Sequence, residues 1–209
     1  MCEGAGDRQY FEVLLPRILD EISRQVGIRA VDIPDTPAVR LGRRGSGTDA
    51  IVKEVCDNKA AFHVLFIHGD TGGRALERRA EESGAAYCTA IHARCDWPTR
   101  RCVVLTPRHE TEAWVLGDPA AVAAALGFTG PHSNLGLPTD AATAEQLTDP
   151  KAVLSEAARI VRGRRSRLPG AGLFAAIANR QEFAALRASS SFHDFETRLR
   201  DALADLGCL

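Results

Sequence analysis

Between Asp7 and Arg24 the apolar residues Phe11, Leu14, Leu15, Ile18, Leu19 and Ile22 recur at helical spacing, which predicts an amphipathic helix with an acidic start. Arg29 to Ile33 predicts a short strand ended by Pro34 and Pro37. A loop over Gly42 to Gly47 follows, after which Ser46 or Thr48 can cap a helix reaching Asp57. Phe62 to Ile67 is the strongest strand pattern in the chain. Gly69, Gly72 and Gly73 then make a tight turn around Asp70, and the run to Gly84 predicts a polar helix with Ala75, Leu76 and Ala80 inward. Alternation from Tyr87 to Ala93 predicts a strand, Asp96 to Arg100 a turn containing Pro98, and Cys102 to Thr106 another apolar strand.

Beyond these strands the pattern turns helical. Asp118-Pro119 and Asp149-Pro150 each place an N-cap aspartate before a proline at the first helical position. Gly127 to Pro138 concentrates Gly, Pro, Ser and Asn and predicts a loop, which suggests an α/β domain over 1–127 and a mainly helical extension over 128–209 packed on it. Val153, Leu154, Ala157, Ile160 and Val161 form one helical face; Phe192, Phe195, Leu199, Leu203 and Leu206 form another.

Composition narrows the class. Hydrophobic residues at 45% and charged residues at 25% of 209 fit a globular protein, and no apolar run approaches the length of a membrane span. No basic region followed by an apolar segment marks a secretory signal, so a cytoplasmic location is the default expectation. The formal net charge of -1 excludes attraction of nucleic acid by the molecule as a whole and leaves it to local clusters. Arg159, Arg162, Arg164, Arg165 and Arg167 form one cluster; Arg40, Arg43 and Arg44 form another. Alone, each reads as a solvated helix end or loop; beside an acidic site, Arg162, Arg164 and Arg165 become candidate phosphate ligands. The six cysteines lack the short Cys-x2-Cys spacing of a zinc ribbon, although Cys88, His92, Cys95 and Cys102 lie close in sequence. Buried free thiols are the expectation.

The candidate chemistry lies at predicted strand ends, where α/β proteins place ligand sites. Asp70 follows the first strong strand, and Glu112 follows the second within Cys102 to Asp118; Glu3 lies in a comparable Glu-Gly turn. Three carboxylates so placed suggest one metal site. Phosphodiester cleavage requires neutralised non-bridging oxygens and an activated nucleophile, and hard oxygen ligands select Mg²⁺ or Mn²⁺ for those tasks. Asp70 and Glu112 would be ligands, Glu3 a ligand or general acid/base, and Asp7 and Glu110 outer contacts. The structural alternatives are that Glu3 receives backbone N–H groups, Asp70 caps the next helix and Glu112 pairs with an arginine. His68 is expected to hydrogen-bond locally and Trp114 to be a core aromatic beneath the site. A P-loop lysine motif is absent, which disfavours nucleotide phosphoryl transfer.

Several of these segments resemble the Toprim-like proteins of the DUF4276 type. Cys2-Glu3-Gly4-Ala5-Gly6-Asp7-Arg8 is similar to that family's opening glutamate turn, His68-Gly69-Asp70 to its His-x-Asp-x-Asp loop, and Thr111-Glu112-Ala113-Trp114-Val115-Leu116 to its "TEAWLL" segment. Leu137-Pro138, Asp149-Pro150-Lys151 and the stretch from Ser191-Phe192 to Leu203 are also similar to family patterns. The resemblance implies a Toprim-like α/β fold, a mostly parallel sheet flanked by helices with a helical C-terminal extension. It also implies metal-dependent nuclease activity on DNA or RNA, in anti-phage or mobile-element settings beside an ATPase partner. One departure bears on activity: Gly72 stands where the loop's second acidic residue is expected. The alternative expectation is therefore a binding or regulatory subunit of an ATPase-containing complex that keeps the fold without turnover.

Overall fold

The structure, a computed structural model, describes residues 5–28, 48–73, 75–163 and 172–209. The first helix, α1 (Ala5–Val26), buries Phe11, Leu14, Leu15, Ile18 and Ile22 of the predicted stripe and also Tyr10, while Leu19 is half-buried. Then come α2 (Thr48–Asp57), β1 (Leu65–His68), and α3 (Leu76–Arg79), which runs through a π-helical turn, Ala80–Ala85, into α4 (Ala86–Cys95). After β2 (Cys102–Leu105) the chain is helical: α5 (Thr111–Val115), α6 (Pro119–Leu126), α7 (Ala141–Ala144), α8 (Pro150–Arg162), α9 (Leu173–Ala178), α10 (Phe183–Leu186) and α11 (Ser190–Asp205).

The fold is mixed α/β, and among the described residues its sheet has two strands. β1 and β2 are parallel, paired Leu65 to Cys102 through His68 to Leu105, so the helical connection between them forms a βαβ unit. Side-chain alternation divides the sheet's two faces. Leu65, Ile67, Cys102 and Val104 pack with Val52 and Val55 of α2 and with Cys88 and Ile91 of α4. Val103 and Leu105 instead join a larger core built from α1, α5, α6 and α8 to α11. Gly84 permits the close fit of the π-helical turn on the sheet: a Cβ there would come within 2.1 Å of Val104 Cγ1.

Local chemistry sets the helix ends as the sequence predicts. Asp118 Oδ1 accepts from Ala121 N at 3.0 Å and Asp149 Oδ1 from Ala152 N at 2.8 Å, each with proline at the first helical position. Long-range polar contacts then join the helices. Tyr10 donates to Gln181 Oε1 at 2.7 Å, while Gln181 Nε2 donates to the Trp114 and Val115 carbonyls. Burial raises the Tyr10 phenol far above its usual range, so it stays a neutral donor. Arg187 pairs with Glu21 of α1 at 2.6 Å and with Glu196 of α11 at 2.8 Å; Glu196 also takes Arg200 at 2.7 Å.

Several expectations are corrected. Tyr87 to Ala93 is not a strand but lies within α4, because the inward residues are Cys88, Ile91 and Cys95, whose spacing is helical. Cys56 with Cys95, and Cys88 with Cys102, form disulfides in place of free thiols, with Cα atoms 5.8 and 5.7 Å apart. The helical face of α4 explains both pairings by aiming Cys88 at the start of β2 and Cys95 at α2. Cys208 is a free thiol, whereas Cys2 lies outside the described residues. Ala75 and Ile160 are exposed, not inward. The expected strand at Arg29 to Ile33 and the cluster Arg40, Arg43 and Arg44 lie outside the described residues. No described helix is long and apolar enough to cross a membrane.

Candidate functional site

Parallel pairing puts the C-terminal ends of β1 and β2 side by side, and the loops leaving them are tied together. The first tie continues the strand ladder, Gly69 N donating to Leu105 O at 3.1 Å. Farther out, His109 N donates to Thr71 Oγ1 at 2.6 Å, and Gly72 N donates to His109 O at 3.0 Å. Gly72 has φ +57 and His109 φ +64, so both lie in the left-handed region. Glycine adopts it freely; for histidine it costs about 1 kcal/mol, which the two cross-loop bonds offset.

His68 sits beneath these loops, 1% exposed. Its Nε2 lies 3.1 Å from Thr111 Oγ1 and 3.3 Å from Asp70 Oδ1, linking the last residue of β1 to both loops. Nδ1 has no hydrogen-bond partner among the described residues, and the ring packs on Phe11 with centroids 4.9 Å apart. This is the local hydrogen-bonding role expected of His68. Trp114 is likewise the expected core aromatic: fully buried, it meets Phe11, Phe192 and Phe195 and donates through Nε1 to Ser191 Oγ at 2.7 Å.

The electrostatics follow from crowded acids. Glu112, in the first turn of α5, has its carboxyl pushed up to about 7 by burial first, then by the neighbouring charges of Glu110 and Asp7. Its own backbone N–H and Lys151, in the first turn of α8, pull the other way. Asp70 Oδ1 and Glu110 Oε2 are buried without a hydrogen bond among the described residues; the His68–Asp70 contact is close but poorly aligned. Glu110 and Asp7 therefore lie close enough to Glu112 to raise it, and Asp70 is linked to the start of α5 through His68, whose Nε2 meets both Asp70 Oδ1 and Thr111 Oγ1.

A cation with hard oxygen preference suits this donor chemistry, because it would satisfy the partnerless oxygens and relieve the repulsion that raises Glu112. Among the described residues no three His, Cys, Asp or Glu side chains form a ready ligand group. Mg²⁺ is commonly held by one or two carboxylates with waters and substrate phosphates completing its shell.

Of the other candidates, Glu3, Arg164 and Arg165 lie outside the described residues. Arg162 is exposed at the C-terminal end of α8. Lys151 stands at the opposite end of that helix, a separation of about 16 Å at 1.5 Å per residue. The residue of α8 that reaches the acidic region is thus Lys151, which has no assigned role in the sequence reading although it falls in the Asp-Pro-Lys segment.

Two further features escape sequence reasoning. Glu145, 4% exposed, receives Ser189 Oγ at 2.7 Å, Ser190 N and Oγ at 2.9 Å each, Ser191 N at 3.0 Å and also Ser191 Oγ. Burial by itself would raise this carboxyl, but the serine hydrogen bonds outweigh it and hold the group below its ordinary range. It anchors the start of α11 and, through Ser191, the Trp114 indole. Arg108 and His109 line an open cleft of about 380 Å³ with Gly73, Ala75, Glu145 and Gln146. No motif spacing flags them, because their position depends on the cross-loop ties.

Comparison with curated proteins and with solved structures finds no match. A family model described as a domain of unknown function, DUF4276, matches residues 2–200, and the chain belongs to the DUF4276 family.

Proposed function

We propose that the protein is a Toprim-like, Mg²⁺-dependent nuclease that hydrolyses phosphodiester bonds in nucleic acid. The observation that carries this reading is the meeting of the Asp70 and Glu112 loops at adjacent parallel strand ends, with buried oxygens of Asp70 and Glu110 that lack hydrogen bonds among the described residues. Asp70 and Glu112 would hold Mg²⁺ or Mn²⁺, joined by Glu3 as the family resemblance implies. When bound, the ion supplies charge neutralisation on the phosphate and lowers the pKa of a coordinated water.

The chain's own groups have separate tasks in this reading. His68 and Thr111 tie the end of β1 to the start of α5, and Thr71 fixes the loop leading to Glu112, so the two loops are joined by buried groups before substrate arrives. Lys151 partly counters the charge of Glu112. Arg162, Arg164 and Arg165 would draw a nucleic-acid strand along the end of α8.

The test combines calorimetric Mg²⁺ and Mn²⁺ titration with cleavage of labelled DNA and RNA, using the parent, Asp70→Asn and Glu112→Gln. Metal binding and cleavage in the parent, both lost in the variants while folding is retained, are expected. Equal metal binding in all three proteins would overturn the reading. A second reading, a binding subunit without turnover in an ATPase-containing complex, is favoured by Gly72 at the second acidic position of the loop. It is distinguished by metal and nucleic-acid binding without cleavage.

A further inference from the structure

We infer that Arg108 and His109 form a phosphate-binding wall beside the acidic region, a subsite for a backbone phosphate of a nucleic-acid strand; this assignment rests on the nuclease reading. Four observations lead to it. First, both residues line the 380 Å³ cleft next to the loops carrying Asp70 and Glu112. That volume falls within the ordinary range of small-ligand sites.

Second, the backbone is arranged around His109 at a conformational cost. The residue is non-glycine at φ +64, with its N–H bound to Thr71 Oγ1 and its carbonyl to Gly72 N. Left-handed strain in a non-glycine residue persists where surrounding contacts over-determine it, and such positions cluster at functional sites. Gly73 completes the seat: a Cβ there would approach His109 Cε1 to 3.1 Å and Nδ1 to 3.2 Å. Thr71, Gly72 and Gly73 thus aim one imidazole.

Third, the Arg108 guanidinium and the His109 imidazole have no side-chain hydrogen-bond or ion-pair partner among the described residues. Arg24, Arg101, Arg159, Arg187 and Arg200 all have carboxylate partners, whereas Arg108 has none among the described residues. The His109 ring also lacks a hydrogen-bond partner there. Fourth, the carboxylate in the same wall is not ion-paired with Arg108 among the described residues. Both oxygens of Glu145 are occupied by the Ser189, Ser190 and Ser191 donors. A planar guanidinium fork with an imidazole N–H alongside matches phosphate oxygens, and a cation at the acidic region would engage the adjoining phosphate.

The experiment is fluorescence-anisotropy titration of a fluorescein-labelled single-stranded oligonucleotide across a salt series, in EDTA and in Ca²⁺. The proteins are the parent, Arg108→Ala, Arg108→Lys and His109→Gly. Arg108→Ala is expected to weaken binding about tenfold and to reduce the log–log salt slope by about 0.7, the value for one single-strand phosphate contact. Arg108→Lys should recover the slope more fully than the affinity, since an ammonium keeps the charge but not the fork. His109→Gly retains access to the positive φ and should weaken binding with the fold intact, as circular dichroism would verify.

Binding and salt slope equal to the parent in Arg108→Ala and His109→Gly would overturn the inference. So would failure of the parent to bind the oligonucleotide in either buffer. Calorimetric Mg²⁺ titration separates this result from the nuclease reading: Arg108→Ala should bind Mg²⁺ as the parent does. Absence of Mg²⁺ binding in the parent, together with oligonucleotide binding lost in Arg108→Ala, would sink the nuclease assignment and support the cleft.

Discussion

Replacing Glu112 by Gln tests, through stability, the cost of burying this carboxyl beside other acids. Its carboxyl is pushed from an ordinary 4.5 to about 7 by burial, then by Glu110 and Asp7, so the folded protein keeps a proton that the unfolded chain releases at lower pH. Stability is therefore unaffected below pH 4.5, declines as pH rises through this window, and carries the full cost above about 7. At 1.36 kcal/mol per unit the gap has a ceiling of about 3.4 kcal/mol; partial exposure of the side chain to water reduces the expected cost to about 1–2 kcal/mol. Glu112→Gln keeps the shape and removes the charge. In EDTA, urea unfolding followed by tryptophan fluorescence should show the variant more stable than the parent by that amount near pH 8. The two should converge toward pH 4.5. Adding Mg²⁺ should stabilise the parent as RT ln(1 + [Mg²⁺]/Kd) and leave the variant unchanged. A parent-minus-variant difference that is the same at both pH values would refute the electrostatic argument, whatever the catalytic outcome.

Three further outcomes follow from the structure. Glu145→Ala should cost about 3 kcal/mol, because it removes a charged acceptor from the serines at the start of α11; chemical denaturation measures it, and a loss below about 1 kcal/mol would show that water replaces the carboxylate. In the parent, the lowered Glu145 carboxyl contributes stability above its ordinary range that is lost as pH falls through the depressed folded value, so acid should narrow the gap between the two proteins. Reduction of the disulfides should lower stability by about 4 kcal/mol for Cys56–Cys95 and about 3 kcal/mol for Cys88–Cys102 on loop-closure entropy, their sequence separations being 39 and 14; an unchanged urea midpoint with reductant, after mass analysis has established both bonds, would contradict this. Gly72→Asp should fold at a cost of about 1 kcal/mol, since the position has φ +57 but nothing within 4 Å of an added Cβ. Tighter Mg²⁺ binding by the folded variant would support a loop lacking its second carboxylate, and unchanged or weaker binding would argue against that role.

Features governed by neighbouring residues were legible in the sequence. The stripe on α1, the Asp-Pro starts of α6 and α8, the two apolar strands and the aromatic face of α11 each follow from side-chain period or from capping chemistry within one turn. The candidate carboxylates Asp70 and Glu112 were visible for the same reason: each follows an apolar strand, and strand ends carry sites. Tertiary structure decided what distance along the chain conceals. Tyr87 to Ala93 fits strand alternation as a short string, yet burial of Cys88, Ile91 and Cys95 against the sheet and α2 selects the helix. Disulfide pairing needed that helix, since partners 39 and 14 residues apart meet only after α4 crosses between α2 and β2. The parallel register brings two loops into contact and thereby creates the Thr71–His109 latch, the perturbed Glu112 and the outward Arg108. Glu145 looks like a surface acid until α11 returns to supply its serine donors. Periodicity and caps are short-range consequences of backbone geometry; desolvation, charge crowding and cross-loop strain arise from atoms that folding alone makes neighbours.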